Sequence, residues 1–573
     1  MIKKWMWVTP LTIGITAAVT GAVVGGCLAN QNANPYRTYY ATPVGYSNSD
    51  LMQVYLASIV NGTRLLLLPG YIQNSPLTQA LGMSPKTNEL LYNYINKAGF
   101  ILLDDSYGLP IFNQNNQVDN TVVQPVWSTQ VASVSFRADL GSFITGIAAA
   151  EFLNEYQYYF APNDNDKLTW ATYGGATYDS VVSFMGGLQK GIRWFNKNIV
   201  PHATTKDGKP YKEVEQVFVG HEQGSNFVNG FGLTDGNQLI NLFLDQKVDM
   251  LIPVAGSQTQ QAVRLIKQKG TRTIVLGVDS AGENDTNSNL SLPTPGTQEV
   301  NGSTKIGGTD KIIQFSSVKK MDSAGSQIMQ KINDNKSKPD EGKTIGGFGY
   351  QSLGTTENDC VGVSEAGYPY FIKAMEIFNS SKNNVRTDLD SIFDSVNNMN
   401  ESELKTKYQE TVKNLENQDF FKQLSDPKNM VYYTYSNWTE GTVANKNDAW
   451  SYAGLPLKGK QMMPLHEDEL DNWFKTEYLG QPESYSLSQD EQTKLDSLHA
   501  WFKQHQQEIK ARQDFNLANK LTKEEFEVNP SIAKVVVNTP DTPLLDKGFC
   551  QSTYMGLVEY WKEQKINIPI PVK

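Results

Sequence analysis

Cysteine and histidine are scarce in this chain of 573 residues, which holds 3 of the first and 5 of the second. So few cysteines exclude a scaffold built on disulfides. The histidines show no H-x-x-x-H spacing, which leaves few ligands for a zinc site. Positive charge is short as well: 50 Lys and Arg against 60 Asp and Glu give a net charge of −10. That balance argues against nucleic acid as a partner, because phosphate binding needs a basic face. What is present is apolar: hydrophobic residues make up 39% and aromatics 11%. A disordered chain and an integral protein of many spans are both excluded. At about 150 residues per domain the length predicts two to four domains around a sizeable core.

The first 26 residues read as an address. Lys3 and Lys4 open it, Trp5 to Gly26 carries no charge, and small residues precede Cys27 in Val24-Gly25-Gly26-Cys27. This is the pattern of an export signal. Its end resembles a bacterial lipobox, in which the cysteine thiol takes a diacylglycerol. The alternative is an uncleaved anchor helix, since the uncharged run is long enough to span a bilayer. Either way the rest of the chain stands on the extracytoplasmic face of the cell membrane. Residues 27–58, rich in Asn, Tyr, Pro and Ser at their start, are expected to be a flexible tether.

From Thr63 short apolar runs ending at turn residues alternate with amphipathic stretches. Strands are expected at Leu65–Leu68, Phe100–Leu103, Val131–Phe136, Leu168–Tyr173, Val217–Val219, Met250–Val254 and Thr273–Val278, with helices between them. Such alternation implies an α/β fold of parallel sheets covered by helices. Ligands bind beyond the carboxyl ends of the strands in such sheets. Glu283 to Asp310 reads as a surface loop. Beyond about Tyr370 the pattern becomes polar and helical, as an appended domain or as an elaboration of one lobe.

Several strand ends carry a resemblance. Val131 to Ala150 (VASVSFRADLGSFITGIAAA), with Gly141, Ser142, Phe143 and Gly146, is similar to a segment of the basic membrane protein family of lipoproteins. That family includes purine nucleoside receptors of ABC importers. Gly174-Gly175 followed by Phe184, Gly187 and Gly191 resembles its next segment. Pro253 to Gly256, Gly277 to Ser280, and Gln314 to Asp322 (QFSSVKKMD) resemble three more. The resemblance implies a two-lobed, type I periplasmic-binding-protein-like fold. The boundaries it implies are lobe 1 at 59–167 with a return segment at 340–370, lobe 2 at 168–339, and a mainly helical extension at 371–573.

It also implies a site. Asp279 matches the aspartate that holds both ribose hydroxyls; a helix N-cap is the ordinary alternative for a carboxylate after a strand. Gly256 would let backbone approach the ligand, and Lys319 matches the ligand lysine. Phe227 and Phe231 are the candidates in lobe 2 for a ring stacked on the base. Pro69 to Gln79 aligns with the first ligand loop but departs from it. Leu68 stands for an aspartate, Leu77 for a stacking phenylalanine and Thr78 for an asparagine, and only Gln79 is kept. Tyr71 or Tyr107 is then expected to supply the missing ring. With fewer polar base contacts, several nucleosides should bind within about tenfold of one another and free bases worse.

Catalytic patterns fail on inspection. Glu341-Gly342-Lys343-Thr344 lacks the first glycine of a P-loop, and Gly362 to Ala366 lacks the last glycine of a nucleophile elbow. Asp164-Asn165-Asp166 lacks the turn and terminal glutamate of a calcium loop. His221 reads as a surface residue near the cleft. None of these calls for a metal or cofactor. Cys360 and Cys550 are open to pairing outside the cell. The expectation is a lipid-anchored solute receptor that hands a nucleoside to an ABC permease, not an enzyme. The alternative is a surface interaction protein with a vestigial cleft; an exported hydrolase ranks third.

Overall fold

The structure is a computed structural model. It describes residues 39–570 except 83–84, 109–111, 119–129, 162, 164–165, 207, 221–224, 285–310, 341–343, 383–388, 427–432, 434–459, 465, 520, 523, 526–529, 539 and 541–548. The export signal, Cys27, His221, the 285–310 insert, Asp164-Asn165 and Glu341 to Lys343 lie outside the described residues. No described helix is long and apolar enough to cross a membrane.

Among the described residues thirteen strands form two sheets. In chain order they are β1 (Tyr40–Ala41), β2 (Leu65–Pro69), β3 (Gly99–Leu103), β4 (Val131–Phe136), β5 (Leu168–Gly174), β6 (Val214–Gln216), β7 (Met250–Val254), β8 (Ile274–Asp279), β9 (Ile313–Lys319), β10 (Tyr350–Gly354), β11 (Val361–Val363), β12 (Lys460–Gln461) and β13 (Ala533–Val536). Lobe 1 is built on the order β1-β13-β2-β3-β4-β10-β12, and lobe 2 on β11-β9-β8-β7-β5-β6. All ladders are parallel except those of β12 with β10 and β11 with β9. The fold is the α/β pair of lobes expected from the sequence. Strand β6 starts three residues earlier than the Val217 run suggested.

The unbroken apolar runs follow from burial on both faces. Leu65 and Leu67 of β2 point into one core while Leu66 and Leu68 point into the other. Ile101 and Leu103 of β3 oppose Phe100 and Leu102 in the same way.

The chain crosses between lobes at Arg137, at Lys320 and between Gly354 and Val361. The helix Ala138–Glu155, placed with lobe 1 by the sequence, packs instead on the lobe 2 helix Asp179–Asn198. The glycines of the two resembling segments make that packing possible. A Cβ on Gly191 would run into the Phe143 carbonyl oxygen, and one on Gly187 into that of Asp139. Arg137 is fully buried. It forms a two-pronged ion pair with Asp139, 2.8 Å per contact, and donates to the carbonyls of Leu424 and Ser425. Likewise, β11 joins lobe 2, so the return segment divides between the lobes.

Two further expectations are corrected. The helix Asn48–Val60, capped by a Ser47–Asp50 box, buries Leu51, Val54, Tyr55 and Ile59 in the lobe 1 core. A tether therefore ends before residue 48, because that apolar face has a core to bury in. Residues 371–573 are mainly helical but not one appended unit. Helices Tyr368–Lys382, Leu389–Asn397, Glu401–Glu416 and Asp419–Ser425 extend the packing around Ala138–Glu155. Helix Gln489–Gln504 covers the lobe 1 sheet through Leu495, Leu498, Trp501 and Phe502. Strand β13 is interior, parallel to β1 on one side and to β2 on the other. The helix that follows it, Phe549–Glu563, packs on β2, β13 and helix Met321–Asn333.

Candidate functional site

The carboxyl ends of β3, β8 and β9 meet between the lobes. Lys319, the last residue of β9, is 3% exposed in its side chain. Its Nζ stands 2.9 and 3.0 Å from the two oxygens of Asp104, which follows β3 in lobe 1. It stands 3.3 Å from Oδ1 of Asp279, the last residue of β8 in lobe 2. The centres of the Phe184 and Phe549 rings lie 5.0 and 5.7 Å from the same ammonium. Both distances fall within cation–π range. One cation is thus held between two carboxylates and two rings, and the Asp104 contact ties lobe 1 to lobe 2.

Both carboxylates leave their strands on left-handed backbone, φ 68° at Asp104 and at Asp279. Aspartate tolerates that region better than most residues. The turn aims both side chains at one point. Asp279 starts no helix; only the short turn Gly282–Asn284 follows it. Its Oδ1 is buried and makes no hydrogen bond, although the side chain as a whole is 22% exposed. It therefore keeps capacity to accept from a donor such as a hydroxyl.

Burial pushes the Asp104 carboxyl up to about 6; the Lys319 cation opposes this and the Asp279 charge adds to it. Burial pulls the Lys319 ammonium down, but Asp104 and Asp279 outweigh it and the net shift is upward.

Gly256 follows β7 with φ 59°. A Cβ there would lie 4.0 Å from the Phe231 ring, an ordinary contact, so the backbone angle and not space calls for glycine. Phe231 is partly buried. It lies against Gly175, where a Cβ would strike its ring, and stacks on Tyr178 at 5.9 Å and 21°. Phe227 goes the other way. It packs with Val181, Phe184 and Tyr433 in a small core. Of the two, only Phe231 borders open space.

The N-terminal candidates separate similarly. Tyr71 is 52% exposed and places its ring edge-on to Tyr178 of lobe 2, centres 5.9 Å apart. Leu77 and Tyr107 are corrections. Both are buried in the core on the far side of the lobe 1 sheet with Leu66, Leu68 and Phe100, so neither wall of the cleft includes them. Gln79 is exposed and bonds to Ser75 one turn back on its own helix. The aligned stretch is a helix, Asn74–Gly82, whose apolar face is spent on that core.

Beside the Lys319 ammonium, lobe 1 places a carboxylate and a ring that the resemblance did not match, Asp104 and Phe549. Asp104 closes the strand next to β2, and its position at a strand end was a readable signal. Phe549 opens the penultimate stretch of the chain. The run Val535-Val536-Val537-Asn538 followed by an amphipathic helix was readable as a strand–helix unit, but not its partner strand. Cys360 and Cys550 are both buried and form no disulfide with each other, and burial pushes the Cys360 thiol up.

Residues 107–206 match the profile of the Bmp family, described as ABC transporter substrate-binding protein PnrA-like. An uncharacterized lipoprotein of Mycoplasma genitalium is 30% identical over 376 residues, 59% of this chain and 61% of that one. Its homolog in Mycoplasma pneumoniae is 29% identical over 370 residues, 57% of this chain and 54% of that one. The chain therefore spans somewhat over half the length of these curated relatives. Among solved structures, an ABC transporter solute-binding protein from Aeropyrum pernix K1 covers 64% of this chain and 80% of its own, with 16% identity and a TM-score of 0.35.

Proposed function

We propose, from the premise that this chain is a member of the Bmp family of PnrA-like substrate-binding proteins, that it captures a nucleoside between its lobes and passes it to an ABC permease. The observation that carries the reading is the buried Oδ1 of Asp279, held only by the Lys319 ammonium at 3.3 Å, at the meeting of strand ends from two parallel sheets. An ionised carboxylate offers two acceptors to the adjacent hydroxyls of a ribose, and such charge-assisted bonds are stronger than neutral ones. Lys319 sits where it can donate to a sugar or base oxygen once it turns from Asp104. Gly256 brings backbone close to the same place.

In this reading the base lies between Phe231 of lobe 2 and Phe549 of lobe 1, with Asp104 facing its edge. Weak base selection was expected for a lobe 1 without a carboxylate or a ring. Asp104 and Phe549 restore both, so this reading favours clear discrimination among bases: a polar group built to pair one edge rejects another strongly. Ligand contacts to both lobes favour the closed form by differential affinity. Cys27 is the acyl acceptor, which would hold the receptor on the extracytoplasmic face of the membrane through its lipid chains.

Mass spectrometry of small molecules that co-purify with the full-length protein tests this, followed by calorimetric titration with adenosine, guanosine, uridine and cytidine. A retained nucleoside, or micromolar binding of one, is expected. Absence of any nucleoside from the protein together with no heat from all four overturns the reading. For the anchor, fatty-acid label retained by a Cys27→Ser protein counts against acylation at that residue.

A further inference from the structure

The ionic cluster is nearly sealed. Side-chain exposure is 3% at Lys319, 8% at Asp104 and 22% at Asp279. A nucleoside is far larger than any gap such figures leave, so something must move before it can enter. Cross-lobe contacts at this place include two made by Lys319, its ion pair with Asp104 and its ammonium over the Phe549 ring. Apart from these stands the pair of rings Tyr71 and Tyr178, one from each lobe.

The ring pair has features the ion pair lacks. Each ring is 52% exposed, so it stands at the solvent side of the cluster. Tyr71 begins one residue after Gly70, which bends the chain out of β2 at φ 86°. Tyr178 follows the Gly174-Gly175 end of β5 and precedes helix Asp179–Asn198. Behind it, Phe231 stacks on its face and is itself wedged against Gly175. Tyr178 is thus fixed on a rigid support, while Tyr71 rides on the short turn Tyr71–Gln73. Burial pushes the Tyr71 hydroxyl up, and Tyr178 and Asp104 add to that rise.

We propose that Tyr71 and Tyr178 form a gate between the lobes, and that Tyr178 controls admission of ligand to the Lys319 chamber without contributing to the polar grip itself. The inference rests on the cleft being a ligand site. An edge-to-face pair is strong enough to hold the lobes together and weak enough to open. It is worth about threefold to tenfold in an equilibrium. Opening it parts Tyr71 from Tyr178 and lets Lys319 leave Asp104. The gate needs the rings and not the hydroxyls, which separates it from a hydrogen-bonding role.

Hydrogen exchange read by mass spectrometry on the full-length protein without ligand is the first test. Tyr178→Ala and Tyr71→Ala should each raise exchange about threefold to tenfold in the peptides around Asp104 and Lys319, while Tyr178→Phe should not. Circular dichroism melts identify a variant that has lost its fold; Tyr71→Ala, changed on an exposed turn, then decides. Exchange at the parent rate in a folded Tyr71→Ala or Tyr178→Ala protein overturns the gate. The second arm is stopped-flow mixing with adenosine. Tyr178→Ala should raise association and dissociation rates together, leaving Kd within about threefold, the lower worth of the ring pair. A large rise in Kd with an unchanged association rate would make Tyr178 a ligand contact and overturn the gate. If adenosine fails to bind the parent protein, the nucleoside reading fails while the exchange measurement still decides the gate.

Discussion

Replacing Lys319 by Met keeps most of the side-chain volume and deletes the ammonium. The structure then leaves Asp104 and Asp279 facing one another without the cation that stands 2.9 Å from one and 3.3 Å from the other. Removing one member of a buried ion pair costs about 3–5 kcal/mol. Protonation sets a ceiling on that cost. With Asp104 at about 6, neutralising it at pH 7 takes about 1.4 kcal/mol, and at pH 5 it is already largely protonated. Loss of the cation lifts Asp104 further above the value of about 6 it already has, because Lys319 is the group that opposes its rise. A carboxyl whose folded pKa exceeds its unfolded pKa binds more protons folded than unfolded. Its stability contribution therefore falls as pH rises through the window from about 4 to above 6. Urea unfolding of Lys319→Met and parent at pH 7 and pH 5 should show a loss of about 1–2 kcal/mol at the higher pH and close to none at the lower. Equal losses at the two pH values, or a variant as stable as the parent at pH 7, would refute the ionic cluster.

Asp279→Asn keeps the left-handed turn that asparagine also tolerates and should weaken adenosine binding by about 1.5–3 kcal/mol, the worth of hydrogen bonds to a charged group; calorimetry showing parental affinity removes the carboxylate from the sugar site. Phe549→Ala and Leu77→Ala should part company. The first should lower adenosine affinity by about 1–3 kcal/mol through lost stacking, and the second should cost about 2–5 kcal/mol of stability as a core cavity. Titrations and melts of the pair exchange these roles if Leu77, and not Phe549, faces the ligand. Deleting residues 530–573 removes β13 from between β1 and β2, so limited proteolysis should degrade lobe 1; a truncated protein that digests like the parent contradicts the interior strand.

Local pattern by itself determined the parallel α/β class and most strand positions. The reason is that strands buried on both faces must be apolar throughout, as Leu65 to Leu68 and Met250 to Val254 are. The resemblance pointed at Asp279, Gly256 and Lys319; the strand-end rule by itself reached Asp279 and equally Asp104, since each follows a strand expected from the sequence. The glycines at 146, 187 and 191 were legible as a spacing, but their reason is a helix–helix contact that only the fold reveals.

Only tertiary structure decided which residues from distant parts of the chain meet. Val535 pairs with Leu67 across more than 450 positions, and nothing in either run specifies the other. Parallel pairing is set by the whole sheet's burial and by the helices that cover it. Leu77 was expected in the cleft because it aligns with the stacking phenylalanine of the resembling family. Helix Asn74–Gly82 turns it toward the core, because that face has apolar neighbours to bury against. Phe549 looked like part of a distant helix, yet β13 inserts beside β2 and brings it to Lys319. The sequence could name groups capable of holding a polar ligand. Their convergence on one buried ammonium came from strand order, two left-handed turns and a strand supplied by the far end of the chain.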